Sequence, residues 1–110
     1  MILNTEGNIT IITQENATPI QLVKKIEASY TKFKSDNIIV NLSSLDSLSL
    51  ENIVEFLQLS NTHRKAKHSF VIVTDKINVD QTPVEIIVVP TLKEAYDIIE
   101  MEDMERDLGF

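Results

Sequence analysis

Ile38, Ile39 and Val40 are apolar at three consecutive positions of "NIIVNL". Side chains along a strand alternate between its faces, so a run with no polar member is covered on both sides. "SFVIVT" at 69–74 and "VEIIVV" at 84–89 are similarly apolar, and "NITIIT" at 8–13 is β-branched from Ile9 to Thr13. Segments of helical period separate most of these runs. A sheet buried between helices, joined by crossover connections, accommodates both patterns, so the predicted fold class is α/β.

The helix starts are marked by their caps. Thr18-Pro19-Ile20-Gln21 combines a capping-box pattern with proline at the first helical position, and Val23, Ile26, Tyr30 and Phe33 follow at helical spacing. This predicts a helix over 19–34. Ser49 is the predicted N-cap of a second helix, with Leu48 and Ile53 placed as a hydrophobic staple. That helix is expected to run to about Lys65, where Arg64, Lys65 and Lys67 suit the negative end of its dipole. Thr91 to Glu94 is a second capping box, opening a final helix through Leu92, Ala95, Tyr96 and Ile99. With Ile2 to Asn4 pairing onto 8–13 across Thr5-Glu6-Gly7, the order is β-β-α-β-α-β-β-α in a mixed sheet. The 110 residues suit one domain, in which 101–110 is an acidic helix extension or a tail.

Composition removes several function classes. At 43% hydrophobic residues, a packed core is expected rather than disorder. The absence of cysteine excludes disulfides, thiolate nucleophiles and zinc–thiolate sites. A net charge of −7 repels phosphate backbones and anionic lipid, so neither nucleic acid nor membrane is an expected partner. No apolar run reaches membrane-spanning length, and "MILNTEGN" lacks the features of a signal peptide, which gives a cytoplasmic expectation. His63 and His68, five apart, do not share a helix face as metal ligands would and are read as surface residues ending a helix. No HxHxDH cluster is present, and Gly7 and Gly109 cannot build a phosphate-cradling loop. The expectation is a chain that is not an enzyme, without catalytic, cofactor-binding or metal-binding residues.

The polar turn Ser43 to Ser49 holds four serines and one aspartate between a strand and a helix start. Such a turn can be an anion site, a regulatory switch or a well-capped helix start. The element order, with "IIVNLSSLDSLSLENIVEFL" at its centre, resembles the STAS domain (sulfate transporter and anti-sigma factor antagonist). In that family the turn reads apolar-Asp-Ser-Ser-Gly-apolar, and a partner kinase phosphorylates its second serine. Matching the apolar positions puts Ser49 on the aspartate, Leu50 and Glu51 on the serines and Asn52 on the glycine. The alternative register puts Asp46 on the aspartate, Ser47 on the first serine and Leu48 on the second. Neither leaves a serine at the phosphorylated position, and Glu51 would supply a permanent charge there. "DKINVDQTP" is too short for the helix that the family carries between its last two strands.

The resemblance implies a non-catalytic interaction module in a regulatory or scaffolding complex, with a protein partner such as an anti-sigma-factor-like kinase or a relative of one. The alternative is a small anion- or nucleotide-binding domain, or an enzyme, using the Ser43–Ser49 turn. Candidate partner-binding residues are Ser47, Ser49, Glu51 and Asn52, together with Phe56 and Leu59. The last two fall off a core face formed by Leu50, Ile53, Val54 and Leu57, where they are either partner anchors or part of a wider buried stripe. Residues 93–110 carry seven acids against Lys93 and Arg106, with apolar points at Met101, Met104, Leu108 and Phe110. Packing on the domain's own core through Met104, and partner contact beyond it, is the expectation for this segment.

Overall fold

The computed structural model describes residues 1–14, 18–45 and 47–109, the side chain of Pro19 excepted. Asp46 and Phe110, which the sequence reading brought into the turn and the tail, lie outside the described residues. Five strands form one mixed sheet in the sequential order β1-β2-β3-β4-β5. They are β1 (Ile2–Glu6), β2 (Ile9–Thr13), β3 (Asn37–Asn41), β4 (Phe70–Val73) and β5 (Ile87–Val89). β1 runs antiparallel to β2, and the other pairings are parallel. The hairpin turn lies at Gly7–Asn8, later than Thr5-Glu6-Gly7, because Glu6 pairs directly with Ile9. Gly7 takes φ +59°, a conformation that glycine supplies without strain in a two-residue hairpin loop.

The register explains the consecutive apolar residues. Ile11, Ile39, Val71 and Ile87 are aligned across four strands, and so are Ile12, Val40, Ile72 and Val88. The two rows point to opposite faces. Ile12, Val40, Ile72 and Val88 meet Leu22, Val23 and Ile26 of α1 (Pro19–Ser29), Ile53 of α2 (Leu50–Val54) and Leu59 of α3 (Leu57–Lys65). The other row meets Leu92, Ala95, Tyr96 and Ile99 of α4 (Leu92–Asp107). Helices therefore cover both faces, and a polar residue in either row would be buried without water.

Three predicted caps are formed. The Thr18 and Ser49 side chains accept from the backbone N–H groups of Gln21 and Asn52, and Thr91 accepts from Glu94. α1 is shorter than predicted and passes into a 3-10 turn at Tyr30–Lys32, which still delivers Phe33 to the core. β5 is also shorter. A turn from Pro83 to Ile86 precedes it, leaving Val84 95% exposed, so only the last three residues of "VEIIVV" pair. Between β4 and β5 the chain makes one 3-10 turn, Val79–Gln81, and no α-helix.

The predicted second helix is interrupted. Glu55 and Phe56 separate α2 from α3, and the Phe56 N–H donates to Ile53 O at 3.0 Å, a tighter bond than the α-helical one. Of the two alternatives for Phe56 and Leu59, exposed partner anchors or buried residues, the first is overturned: Phe56 is 0% exposed and Leu59 8%. The segment carries two overlapping helical faces that share Ile53. Leu50, Ile53, Val54 and Leu57 form one; Ile53, Phe56, Leu59, Ser60 and His63 form the other. The fold buries the second, which brings the largest side chain inward and leaves Leu50 and Val54 in water.

Candidate functional site

The β3–α2 turn begins with a side-chain hydrogen-bonded bend. Asn41 Oδ1 accepts from the Ser43 backbone N–H at 3.1 Å and from Ser43 Oγ at 2.7 Å, lifting the chain away from the sheet. Leu42 is fully buried, and Leu45 and Leu48 pack half-buried against the same core cluster. These apolar anchors fix the loop and leave Ser43, Ser44, Ser47 and Ser49 exposed.

At the helix start, Ser49 Oγ accepts from the Asn52 N–H at 3.2 Å, while the Ser49 N–H donates to Asn52 Oδ1 at 2.9 Å. This reciprocal pair satisfies donors that a bound anion would otherwise engage. Glu51 stands exposed in the first turn, where a negative charge is favourable. Of the six candidate contact residues, the fold thus gathers Ser47, Ser49, Glu51 and Asn52 around one surface loop and helix start. Buried Phe56 and Leu59 cannot serve as exposed anchors. Sequence reasoning passed over Leu50 and Val54, which are 38% and 43% exposed on the outward side of α2. Their signal lay in the second reading of the helical wheel. Nearby, the carboxamide of Gln14 follows β2 and is 4% exposed, and its Oε1 has no hydrogen-bond partner among the described residues.

A second group of polar residues lies at the opposite end of the parallel strands. Asn37 Oδ1 accepts from the Ser69 N–H at 2.8 Å, and Asn37 Nδ2 donates to both oxygens of Asp103. Ser69 Oγ donates to Glu102 at 2.6 Å, and Arg106 reaches Asp103, Ser69 and Asn37. Burial raises the Asp103 pKa, but hydrogen bonds from Arg106, Asn8 and Asn37 outweigh it and hold the carboxyl below its usual value. This group ties α4 to the starts of β3 and β4.

His63 belongs to that end too, and its expected surface position is overturned: it is fully buried. Its Nε2 lies 2.6 Å from the Asp36 carbonyl oxygen and its Nδ1 2.6 Å from the Tyr30 hydroxyl. A carbonyl only accepts, so Nε2 carries the proton and Tyr30 donates to Nδ1 of the neutral ring. Burial lowers the His63 pKa, with His68 and Arg106 adding to the effect against the opposing influence of Asp36. Burial likewise raises that of Tyr30. His68 stacks obliquely on His63 at 5.3 Å between ring centres. His63 is thereby a structural joint between α3 and the chain leading into β3. Among the described residues, no group of three or more histidines, cysteines or carboxylates is placed to hold a metal ion. No described helix is long and apolar enough to cross a membrane.

No protein-family model matches the chain, and no curated protein matches it in sequence. Solved structures do match. A serine-to-glutamate variant of Moorella thermoacetica RsbS aligns with TM-score 0.67 and 11% identity, covering 96% of this chain and 97% of its own. A chain from the stressosome, described as a signal integration and transduction hub, gives 0.62 and 11%, covering 90% and 96%. A Thermotoga maritima protein described as an anti-sigma factor antagonist gives 0.63 and 14%, covering 90% and 93%. At such identities the common property is architecture, and with the strand order and helix placement above it is the STAS-like α/β fold that this chain shares with RsbS and the anti-sigma factor antagonist.

Proposed function

We propose that the chain is a non-catalytic protein-interaction module of a regulatory or scaffolding complex, and that its contact surface is the turn and helix start around α2. Ser47, Ser49, Glu51 and Asn52 supply the polar part of that surface, and Leu50 and Val54 the apolar anchors. The observation that carries this reading is the outward exposure of Leu50 and Val54 beside a rigidly capped turn. Apolar side chains held in place next to polar groups are what a partner's interface core requires. The fold neighbours add support, since they are described as an anti-sigma factor antagonist and as part of a signalling hub. The partner is a regulatory protein, with an anti-sigma-factor-like kinase the leading class. Glu51, at the position where the resemblance places the phosphorylated serine, makes the charge of this surface permanent instead of switched. The reciprocal Ser49–Asn52 cap argues against the turn as an anion or nucleotide site.

Affinity capture from the cells that make the protein tests this, with wild type compared against Leu50→Asp/Val54→Asp. Both positions are exposed, so the double variant is expected to melt within about 3 °C of wild type. It should nevertheless lose the captured regulator at least about tenfold, the effect of roughly 1.4 kcal/mol of binding energy. Undiminished capture by the double variant overturns the proposed surface. A saturable rise in melting temperature with nucleotide or phosphate would support the alternative anion site.

A further inference from the structure

α4 has two apolar faces on opposite sides. At about 100° per residue, Leu92, Ala95 and Ile99 fall on one side and pack against the sheet. Met101, Met104 and Leu108 fall on the other side, within about 60° of one another. They are 50%, 60% and 71% exposed, so the expected packing of Met104 on the domain itself does not occur. With Asp97, Glu100 and Glu105 they line an open groove of about 310 Å³. Glu100 and Glu105 flank the apolar stripe on its two margins, about 60–80° from its centre. Lys93 pairs with Asp97, and Arg106 is drawn into the Asp103 group, so among the described residues neither base neutralises those margins.

We propose that this face docks a basic amphipathic helix of a partner protein. An apolar seam between acidic margins complements a helix with an apolar face and lysine or arginine along both edges. Methionine suits the centre of such a seam because its flexible thioether conforms to the incoming side chains. A second copy of the chain is a poor occupant, since it would set Glu100 and Glu105 against like charges while each copy carries a net −7. The surface is separate from the α2 turn and does not depend on the function proposed there.

The test uses the full chain with methyl-labelled methionine, where Met1 is an internal control. The probe is a synthetic peptide of about 18 residues, long enough to fold on contact, with leucine on one face and lysine on both margins. Its counterpart carries glutamate in place of every lysine. The lysine peptide should shift the Met101 and Met104 methyl signals saturably and leave Met1 in place, and the glutamate peptide should shift none. Met104→Glu should weaken binding of the lysine peptide at least about tenfold although it adds an attractive charge. Binding that is unchanged or tightened by Met104→Glu would be non-specific charge attraction and overturns the proposal. Absence of saturable shifts overturns it as well, as does concentration-dependent self-association that broadens the same two methyls. Leu50→Asp/Val54→Asp should leave this peptide binding intact, so the two surfaces can fail separately.

Discussion

At the scale of single residues, the least comfortable backbone is that of Lys67, with φ +70°. It follows the α3 cap residue Ala66, and its N–H donates to Arg64 O while the His68 N–H donates to His63 O. This is the Schellman closure, whose left-handed position is normally filled by glycine. Lys67→Gly removes the Cβ strain and is expected to stabilise the protein by about 0.5–1 kcal/mol, after allowing for the greater freedom of glycine when unfolded. Urea denaturation measures it; an unchanged or lower midpoint would contradict the strain argument. His63 shows the limit of reading residues in sequence. In "HRKAKH" it looks like a solvated helix end, yet its partners Tyr30 and Asp36 lie 33 and 27 positions away. Nothing local announces a buried ring that long-range contacts satisfy.

At the scale of elements, strands and caps were legible because their signals are local. Consecutive apolar residues marked β3 and β4, and Thr18, Ser49 and Thr91 marked three helix starts. The α2–α3 interruption was not legible, since no glycine or proline stands at Glu55–Phe56. Without it, two helical faces compete, and the one with more apolar members, Leu50, Ile53, Val54 and Leu57, reads as the core. The candidate site suffered accordingly: its polar residues were placed in one neighbourhood, and its apolar anchors were assigned to the wrong side of the helix. Asn37 shows how elements are joined once they form. It is 2% exposed, and its carboxamide bonds the start of β4 at Ser69 and the end of α4 at Asp103. Asn37→Ala leaves the buried Ser69 N–H without a partner. The expected cost is about 1–3 kcal/mol, read as a lower thermal midpoint. A loss under about 0.5 kcal/mol would mean that water or a shifted Asp103 carboxylate accepts from the Ser69 N–H instead.

At the scale of the whole molecule, the two ends of the sheet differ in kind. The C-terminal ends of the parallel strands carry the exposed turn, while the opposite end is closed by His63, Asn37, Asp103 and Arg106. Stability should therefore depend on pH through the closed end. The His63 pKa is lowered on folding, so its contribution is complete above the unfolded value near 6.5. As pH falls below about 6.5, the unfolded chain takes up a proton that the folded chain resists, and stability declines until folded His63 protonates as well. Urea midpoints should drop between about pH 7 and pH 5, and His63→Gln should flatten that slope. A profile identical in the two proteins would assign the slope to other groups. The sequential strand order has a consequence for synthesis on the ribosome. Each strand finds its neighbour already made, so the sheet and the α1–α3 layer can assemble in the order in which they emerge. The face carrying Ile11, Ile39, Val71 and Val73 must wait for α4, which leaves the tunnel after all five strands. Until then the nascent chain displays an apolar sheet surface, so the docking of α4 is the step that takes this face out of water.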